Sequence, residues 1–401
     1  MRRYDTDIEV AVVGAGPAGS SAAETAARLG AKVVLIERKR EMGTPVQCGG
    51  FLPEVSELEA LLPRAVIPEA AAEIPEKYVL ARTRVQRIFS PSGDAKEFSV
   101  RGRVVDRRSF DRHLAWRAAR AGAEVLVDTR ADLSGGSLHL SGGRSGTVEA
   151  QAIIGADGPS SATARGANLA RRQEAGVCIE YEMAAVNIDP GAAEMYFGTK
   201  AAPGGYAWII PLGEDVANVG VGTRPAYLHG RRIHDILDSF IADHRIAKDK
   251  LRGGKVTAVM RGVVPAGGMP PAIQRGNVLL AGDAAGMVMA TSGGGIPLAM
   301  VGGALAGEVA ARAVSGDGSL TDYTLRIAEA MGRELKNSVR IREVVDRTLR
   351  SDRLMDGLFA MLPADQMKAT MRGQIPKALE RAQDIIKKRS TTPSGSGEGS
   401  D

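Results

Sequence analysis

A glycine motif near the start of the chain constrains the fold more than any other feature. Residues 7–13, "DIEVAVV", predict a buried strand, and Gly14, Gly16 and Gly19 follow it as G-x-G-x-x-G. An Ala-rich stretch then predicts a helix, and "AKVVLIE" predicts a second strand that ends in Glu37. Gly14 permits the tight turn, Gly16 the approach of a pyrophosphate, and Gly19 the close packing of helix on sheet. In this βαβ context the motif predicts a dinucleotide-binding fold.

The surroundings of the motif assign roles to two further residues. Ala18 lies in the first turn of the predicted helix, where we expect it to contact the cofactor. Glu37 lies 18 residues after Gly19, and its carboxylate would accept hydrogen bonds from a ribose hydroxyl.

A second glycine-rich segment favours FAD over NAD. In "GNVLLAGDAAGMVMATSGGGI", Asp283 follows a predicted strand and precedes a run of small residues. We expect Asp283 to face the ribityl chain or the pyrophosphate of FAD. Gly295 and Ile296 are expected at a helix N-terminus that points at the flavin ring, where the helix dipole stabilises negative charge on the reduced isoalloxazine. The alternative is a buried aspartate that only caps a helix.

Composition excludes several classes of function. The net charge is +5, but 47 acidic residues are interspersed with 52 basic ones, which argues against a nucleic-acid binder. Cys48 and Cys178 are the two cysteines, too few for a disulfide framework or a cysteine-rich metal site, and we expect no metal. No apolar leader precedes the first strand, so we expect a cytoplasmic protein. The apolar tract 278–311 contains Asp283 and several glycines, so we do not expect it to span a membrane.

The whole pattern predicts an α/β protein with three parts. A Rossmann-type FAD-binding domain is expected from residues 1–170 and 270–320. Between them, residues 171–269 contain strand-like runs separated by turn residues, which predict an inserted antiparallel β-sheet substrate domain. Residues 321–390 have a helical pattern with basic stretches, and residues 391–401 have the composition of a disordered tail.

Four motifs resemble those of the flavoprotein hydroxylase superfamily of FAD enzymes. They are "VAVVGAGPAGSSAA", "DRRSFDRHLAWRA", "IIGADGPSS" and "NVLLAGDAAG", and the resemblance covers roughly residues 5–315. It implies that Arg107 contacts the FAD and that the backbone of Ala131 meets the adenine. Asp157 matches the second fingerprint of the superfamily, but the arginine of that fingerprint is displaced by one position to Arg165.

Another motif resembles one found in the geranylgeranyl reductases of this superfamily. The stretch "PGGYAWIIP" matches P-x-x-Y-x-W-x-F-P at Pro203, Tyr206, Trp208 and Pro211, with Ile210 in place of the phenylalanine. Side chains alternate along a strand, so the tyrosine and tryptophan rings share one face. There they could wall a slot for an isoprenoid tail, and ordinary packing in the core of a sheet is the alternative.

The stretch "QCGG" resembles the cysteine loop of archaeal geranylgeranyl reductases. We expect Gly49 and Gly50 to let the backbone pass over the isoalloxazine, and Cys48 to lie at the edge of the cofactor site. Three roles stay open for Cys48: packing in a tight loop, contact with flavin or substrate, and covalent redox chemistry. The redox role is least favoured because no second cysteine lies near it in sequence, and Cys178 belongs to the strand region.

The resemblance implies FAD-dependent saturation of isolated double bonds in the geranylgeranyl chains of archaeal ether phospholipid precursors. Hydride would come from N5 of the reduced flavin. An isolated alkene has no carbonyl to polarise, so the enzyme must hold the bond against the flavin and place a proton donor beside it. Cys48, Tyr206 and Trp208 are the expected catalytic residues. Tyr206, Cys48 and water held by the flavin loops are the candidate proton donors.

Other functions and partners stay open from the sequence. An FAD-dependent aromatic hydroxylase has the same fold, a prenyl reductase could act on a quinone tail or a prenyl diphosphate, and an FAD-bound scaffold is the non-enzymatic alternative. A second nucleotide-binding motif is not evident, so the electron donor is expected to be external: reduced ferredoxin, a deazaflavin or NAD(P)H. Lys336, Arg340, Arg342 and Lys377 could contact the cytoplasmic face of an anionic membrane; a solvated helical surface is an equal alternative.

Overall fold

The computed structural model describes residues 3–4, 8–169 and 174–376. The strands are β1 (Arg3–Tyr4), β2 (Ile8–Val13), β3 (Val33–Ile36), β4 (Phe51–Pro53), β5 (Val79–Phe89), β6 (Ala95–Val105), β7 (Glu124–Leu126), β8 (Thr129–Ser134), β9 (Ser137–Gly142), β10 (Ser145–Val148), β11 (Ala150–Gly155), β12 (Ala175–Ala184), β13 (Ala192–Tyr196), β14 (Tyr206–Pro211), β15 (Val216–Thr223), β16 (Lys255–Pro265), β17 (Gln274–Arg275) and β18 (Val278–Leu280). The helices are α1 (Pro17–Arg28), α2 (Val55–Leu61), α3 (Glu69–Ala72), α4 (Arg107–Arg120), α5 (Ala162–Gly166), α6 (Ile233–Asp243), α7 (Ala247–Leu251), α8 (Ile296–Ser315), α9 (Asp322–Ile327), α10 (Arg333–Val345), α11 (Asp352–Met361) and α12 (Ala364–Met371).

A six-stranded sheet carries the glycine motif, in the strand order β17-β18-β11-β2-β3-β7. Adjacent strands in this sheet are parallel except for the antiparallel pair of β17 and β18. β2 and β3 are almost fully buried, as expected for the centre of a parallel sheet. Val13 pairs with Gly155, and Gly155 pairs with Leu280. The loops that follow β2, β11 and β18 therefore open at one edge, where ligands of open α/β sheets bind.

Helices α1 and α8 pack closely together beside this edge. A Cβ at Gly303 would overlap the backbone of Ala18, and a Cβ at Gly307 would overlap that of Ala22. A Cβ at Gly282 would lie 2.8 Å from the Cβ of Ala18 and 3.4 Å from that of Ala299. The first turns of the two helices thus flank the turn after β18, and their unpaired N–H groups point to the same region.

Among the described residues, α8 is the helix that is long and apolar enough to cross a membrane by length and composition. In the protein, 61 % of its apolar window is buried. It packs against α1 and contributes to the core of the six-stranded sheet. The core position of α8 is therefore sufficient to explain its apolar sequence.

A second, eight-stranded sheet has the order β16-β12-β15-β14-β13-β5-β6-β4. Adjacent strands in this sheet are antiparallel except for β13 and β5, which run parallel to each other. β4, β5 and β6 come from residues 51–105, which lie inside the range 1–170 that the sequence assigns to the FAD domain. The boundaries at 170 and 270 stay a prediction, and the strand pairing shows that this sheet also takes strands from outside the predicted insertion.

A small sheet of β1, β10, β9 and β8 lies next to the six-stranded sheet. The sequence did not predict it as a separate unit. The backbone N–H of Thr129, at the start of β8, donates to the carbonyl of Glu37. This hydrogen bond fixes β8 against the end of β3.

The C-terminal helices pack on one end of the eight-stranded sheet. Their shared apolar cluster joins side chains of β5, β6 and β13 to α11 and α12, and includes Ile88, Phe98, Met195, Phe359 and Met367. A π-helical turn, Ala328–Gly332, connects α9 to α10. The predicted continuation of the helical region to residue 390, with Lys377, and the tail predicted for residues 391–401 lie outside the described residues.

Candidate active site

Each glycine of the motif between β2 and α1 has a different environment. Gly14 has a φ of +97°, and a Cβ there would overlap the carbonyl of Ala156. A Cβ at Gly19 would overlap the carbonyl oxygen of Gly14. Gly16 is the N-cap of α1, and no described atom lies within 4 Å of the position that its Cβ would take. The open space over Gly16 and the unpaired N–H groups of the first turn fit a pyrophosphate.

Glu37 is positioned at the end of β3 by two backbone hydrogen bonds. Its buried carboxylate accepts from the N–H of Ala15 at 2.8 Å and from the N–H of Lys39 at 2.9 Å. Each carboxylate oxygen keeps a lone pair for a further donor, which fits a ribose diol. Ala131 lies nearby in β8, buried and paired with Leu140.

Asp283 lies on the same edge, in the 3-10 turn Gly282–Ala285. It is half-buried, and burial raises the pKa of its carboxyl to about 6, which Arg107 lowers only in part. No donor in the described part of the chain bonds to this carboxylate, and such a group is costly unless a ligand pairs with it. Gly295 is the N-cap of α8 and Ile296 is its first residue. A Cβ at Gly295 would lie 3.5 Å from Asp283 Oδ1, so the helix N-terminus and the carboxylate face one space.

The loop with Gly49 and Gly50 crosses a face of the eight-stranded sheet. A Cβ at Gly49 would lie 2.9 Å from Asn218 Oδ1 and 2.9 Å from Ile210 Cδ1. Gly50 has a φ of +75°, and a Cβ there would overlap the carbonyl of Val105. Packing of the protein itself therefore requires Gly50, whereas a side chain at Gly49 would displace those of Asn218 and Ile210. The passage of the two glycines over the isoalloxazine stays a prediction.

Cys48 lies next to Arg107, the first residue of α4. The Arg107 guanidinium makes two hydrogen bonds of 2.8 Å to the carboxylate of Asp111, which fixes its position. Burial raises the pKa of the Cys48 thiol although Arg107 lowers it in part. Because the thiolate is the reactive form of cysteine, this environment disfavours the redox role of Cys48.

Tyr206 and Trp208 lie on one face of β14 and line a cavity of about 440 Å³. The Tyr206 hydroxyl donates to the carbonyl of Ser292, which ties the sheet to the loop before α8. The cavity extends from residues 47–50 and 289–298 to the C-terminal helices. Its far wall is apolar and includes Phe98, Met195, Phe197, Leu349, Phe359 and Met367.

Glu180 and Asn218 line or border this cavity, although the sequence did not single them out. Glu180 of β12 pairs with Gly220 of β15, and Gly220 pairs with Trp208 of β14. The three residues therefore share a face, and the Trp208 ring extends over Gly220, where a Cβ would overlap it. Trp208 Nε1 donates to Asn218 Oδ1 at 2.6 Å. The alternation in "GVCIEYEM" is the sequence signal that could have found Glu180.

Cys178 lies in the neighbouring row of the same face. It pairs with Gly222, which pairs with Tyr206. Cys178 lies in strand β12, as the sequence predicts, and Cys178 and Cys48 line the same cavity although they are far apart in sequence. Burial raises the pKa of Cys178 to about 12, which keeps this second thiol protonated too.

The second fingerprint forms a turn whose polar groups are satisfied locally. The Asp157 carboxylate accepts from the N–H groups of Ala162 at 2.7 Å and Thr163 at 3.0 Å, which caps α5. Arg165 donates to the carbonyl of Ser160 at 2.9 Å. The displaced arginine thus stabilises its own turn.

Comparisons with known proteins agree with this architecture. The model of the geranylgeranyl reductase catalytic domain matches residues 174–264, and that of FAD dependent oxidoreductases matches residues 9–59. Digeranylgeranylglycerophospholipid reductase of Methanocella arvoryzae is 36 % identical over 371 residues, which cover 88 % of this chain and 90 % of that protein. The enzyme of the same name from Methanocaldococcus jannaschii is 36 % identical over 383 residues, which cover 90 % and 92 %.

The chain belongs to the geranylgeranyl reductase family. This geranylgeranyl reductase is an FAD-dependent oxidoreductase. A geranylgeranyl bacteriochlorophyll reductase-like protein of Thermoplasma acidophilum has a TM-score of 0.79 at 28 % identity and covers 94 % of this chain and 99 % of its own. A flavin-dependent brominase has a TM-score of 0.75 at 16 % identity over 96 % of this chain and 100 % of its own, and it shares the fold.

Proposed function

We propose that this geranylgeranyl reductase saturates isolated double bonds in the geranylgeranyl chains of an archaeal ether phospholipid precursor. The observation that carries the proposal is the apolar cavity between the β14 face and the C-terminal helices, which begins at residues 47–50 and 289–298. The FAD is proposed to lie beside these two loops. An isoprenoid chain is the kind of ligand that such a wall accommodates. The names of the curated relatives support the ether phospholipid as substrate.

Each of the residues described above is proposed to have its own role in binding the cofactor or the substrate. Gly16 and the N-terminus of α1 would hold the pyrophosphate of FAD, Glu37 the ribose, and Asp283 the ribityl chain. When bound, reduced FAD supplies the hydride. Tyr206 and Trp208 would hold the double bond in place and exclude water from it. Fixing the orientation of the double bond in this way lowers the barrier to hydride transfer. The external donor of electrons is proposed to be reduced ferredoxin, a deazaflavin or NAD(P)H.

The proposal is tested by incubating chemically reduced protein with digeranylgeranylglyceryl phosphate. Mass spectrometry should show the lipid gaining hydrogen in steps of two. Geranylgeranyl diphosphate and a prenylated quinone serve as competing substrates, and a phenol with NADPH and oxygen tests the aromatic hydroxylase alternative. An ether lipid of unchanged mass would contradict the proposal.

Replacing Cys48 with serine should keep the FAD bound and slow lipid reduction by roughly tenfold or less, because the residue shapes the pocket rather than forms a bond. The measurement is the rate of lipid reduction together with the absorbance of bound flavin. Cys178→Ser is the matched control, since this second thiol lines the same cavity from strand β12. A Cys48→Ser enzyme of full activity would reduce the role of Cys48 to loop packing.

We also propose peripheral contact with an anionic membrane through the surface around Lys336 and Arg340, which are exposed. They border a shallow surface cleft with Arg64 and Arg333. Arg342 does not belong to this surface: it is half-buried and forms a salt bridge of 2.8 Å with Glu174.

Reversing the charge of Lys336 and Arg340 together should weaken binding to anionic vesicles at low salt at least about 30-fold, since two cations at about 1 kcal/mol each contribute about 2 kcal/mol. The double reversal of the exposed Arg252 and Lys255 is the control of equal charge. Equal flotation of both double variants, or none by the unaltered protein, would exclude this contact.

A further inference from the structure

Saturation of an isolated double bond consumes a hydride and a proton, and the proton needs a donor inside the cavity. We infer that the carboxyl group of Glu180 donates this proton to the alkene, an inference that rests on the function proposed above. Two observations support this role: the free, buried oxygen of the Glu180 carboxyl, and the salt bridges that occupy the other carboxyl groups of the cavity lining.

The other carboxyl groups that line the cavity each form a salt bridge with a cation of the protein. Their oxygens are therefore engaged by the protein itself rather than free to face a substrate. The pairs are Glu57 with Lys368, Asp346 with Arg224, and Glu194 with Lys250 and Arg87.

The sequence-based candidates are poor acids in this environment. Burial raises the pKa of Tyr206 well above its usual range, and its hydroxyl already donates to the carbonyl of Ser292. Burial also raises the pKa of Cys48 and brings that of Cys178 to about 12. Each of these groups would leave behind an anion that the dry cavity does not stabilise.

Glu180 is the exception among these groups. The residue is 3 % exposed, and its Oε2 has no hydrogen-bond partner in the described part of the chain. The side chain of Asn218 hydrogen-bonds to the carboxyl group and is itself held by Trp208 Nε1 at 2.6 Å. The free oxygen belongs to a carboxyl that lines the cavity on the same sheet face as Trp208. Gly220, which lies between Glu180 and Trp208 in the sheet, has no side chain to separate them.

The charges around Glu180 allow it to gain and lose a proton near neutrality. Burial raises the pKa of its carboxyl to about 7, while the Asn218 hydrogen bond and the charge of Arg107 lower it in part. Cys48 and Tyr206 face it as uncharged groups. A general acid is most effective when its pKa lies near the working pH.

The step balances without a further reactant. One alkene carbon forms a C–H bond with the Glu180 proton, the O–H bond breaks, and the carboxylate keeps the electron pair. The other carbon would receive the hydride that reduced FAD supplies when bound, so that the two hydrogens and their electrons are both accounted for. The Glu180 carboxylate then recovers its proton from water before the next turnover.

Replacing Glu180 with glutamine should leave FAD binding and photoreduction of the flavin intact and slow lipid-dependent flavin reoxidation about 100-fold or more. The rate for the unaltered enzyme should fall as pH rises through about 7, and the glutamine variant should lose this dependence. Glu180→Asp keeps an acid and should retain part of the rate together with the pH dependence. Glu182→Gln, on the same strand and outside the cavity lining, is the matched control with unchanged rate.

A readout without substrate or cofactor is the stability of the apoprotein. The folded state binds the Glu180 proton more tightly than the unfolded state, because its pKa is about 7 rather than the usual 4.5. Protonation of Glu180 should therefore increase the free energy of unfolding as pH falls from about 8 to about 5. The glutamine variant should lack that gain, whereas Glu182→Gln should keep it.

The outcomes separate this inference from the function on which it rests. If the unaltered enzyme does not reduce the lipid, the proposed function fails. If the unaltered enzyme reduces it and Glu180→Gln does so at the same rate, the inference fails. A slowed glutamine variant whose rate keeps the pH dependence of the unaltered enzyme contradicts it as well, since the titrating group would then be another residue.

Discussion

Replacing Gly16 with valine is expected to give a folded protein that binds FAD about 100-fold more weakly or worse, a loss of roughly 3 kcal/mol. The position that its Cβ would take meets no described atom, so the valine side chain does not disturb the protein itself. It enters the space over the N-terminus of α1, where the pyrophosphate is proposed to bind. Titration of apoprotein with FAD, followed by flavin fluorescence, measures the effect.

Gly19→Val is the informative partner of this variant. Its side chain would overlap the carbonyl of Gly14 and separate α1 from β2, so the variant is expected to lose the folded state. Circular dichroism distinguishes the two cases, since only Gly16→Val should keep the signal and the thermal transition of the unaltered apoprotein. A Gly16→Val protein that is purified fully loaded with FAD would place the pyrophosphate elsewhere.

Replacing Asp283 with alanine is expected to weaken FAD binding about 10- to 100-fold and to stabilise the apoprotein. The loss follows from the removal of charged hydrogen bonds to the ribityl chain, worth about 1.5–3 kcal/mol. The gain follows from burial, which raises the pKa of Asp283 from 3.8 to about 6, so the ionised form costs stability in the folded state. Above about pH 6 the alanine apoprotein should be more stable by about 3 kcal/mol.

The sign of this pH dependence is a separate check. A raised pKa means that the folded unaltered protein binds the proton more tightly, so the advantage of the alanine variant should vanish below about pH 4. The exposed Glu149 provides a control, and Glu149→Ala should change neither FAD affinity nor stability appreciably. An Asp283→Ala apoprotein that is less stable at every pH would show that the carboxylate is a structural cap.

Local sequence signals were sufficient to predict the backbone geometry around the glycine motif. The turn after β2, the carboxylate of Glu37 and the start of α8 each depend on a few consecutive residues, and their backbone geometry follows from glycine and strand-end positions. The shared face of Tyr206 and Trp208 follows from the alternation of a strand in the same way. FAD as the cofactor and the geranylgeranyl reductase family are confirmed by the comparisons.

The alternation along β12 could have indicated Glu180, but its neighbours in the cavity could not be predicted because they depend on strand register. Glu180 reaches Trp208 only through Gly220, across two antiparallel pairs whose register no local pattern specifies. The parallel pairing of β13 with β5 joins residues about 100 positions apart and was missed for the same reason.

In the C-terminal helices, the pattern of charges along the sequence did not predict which cations lie on the surface. Arg342 was interpreted as a surface cation, yet it pairs with Glu174, which lies far from it in sequence, and donates to the carbonyl of Ala266 just after β16. Charge patterns along one helix do not reveal such distant partners. The same helices close the apolar wall of the cavity, which the sequence assigned only to Tyr206 and Trp208.

The most direct test of the account is one anaerobic turnover of photoreduced enzyme with stoichiometric digeranylgeranylglyceryl phosphate in D2O. The account predicts that the oxidised-flavin absorbance returns at the rate at which the lipid gains one saturated bond. In protein equilibrated with D2O, both the solvent-derived proton and the exchangeable flavin N5 hydrogen are deuterium, so the product should be heavier by two deuterons. Flavin that stays reduced, or that reoxidises while the lipid mass is unchanged, would contradict the claim that this chain reduces geranylgeranyl double bonds.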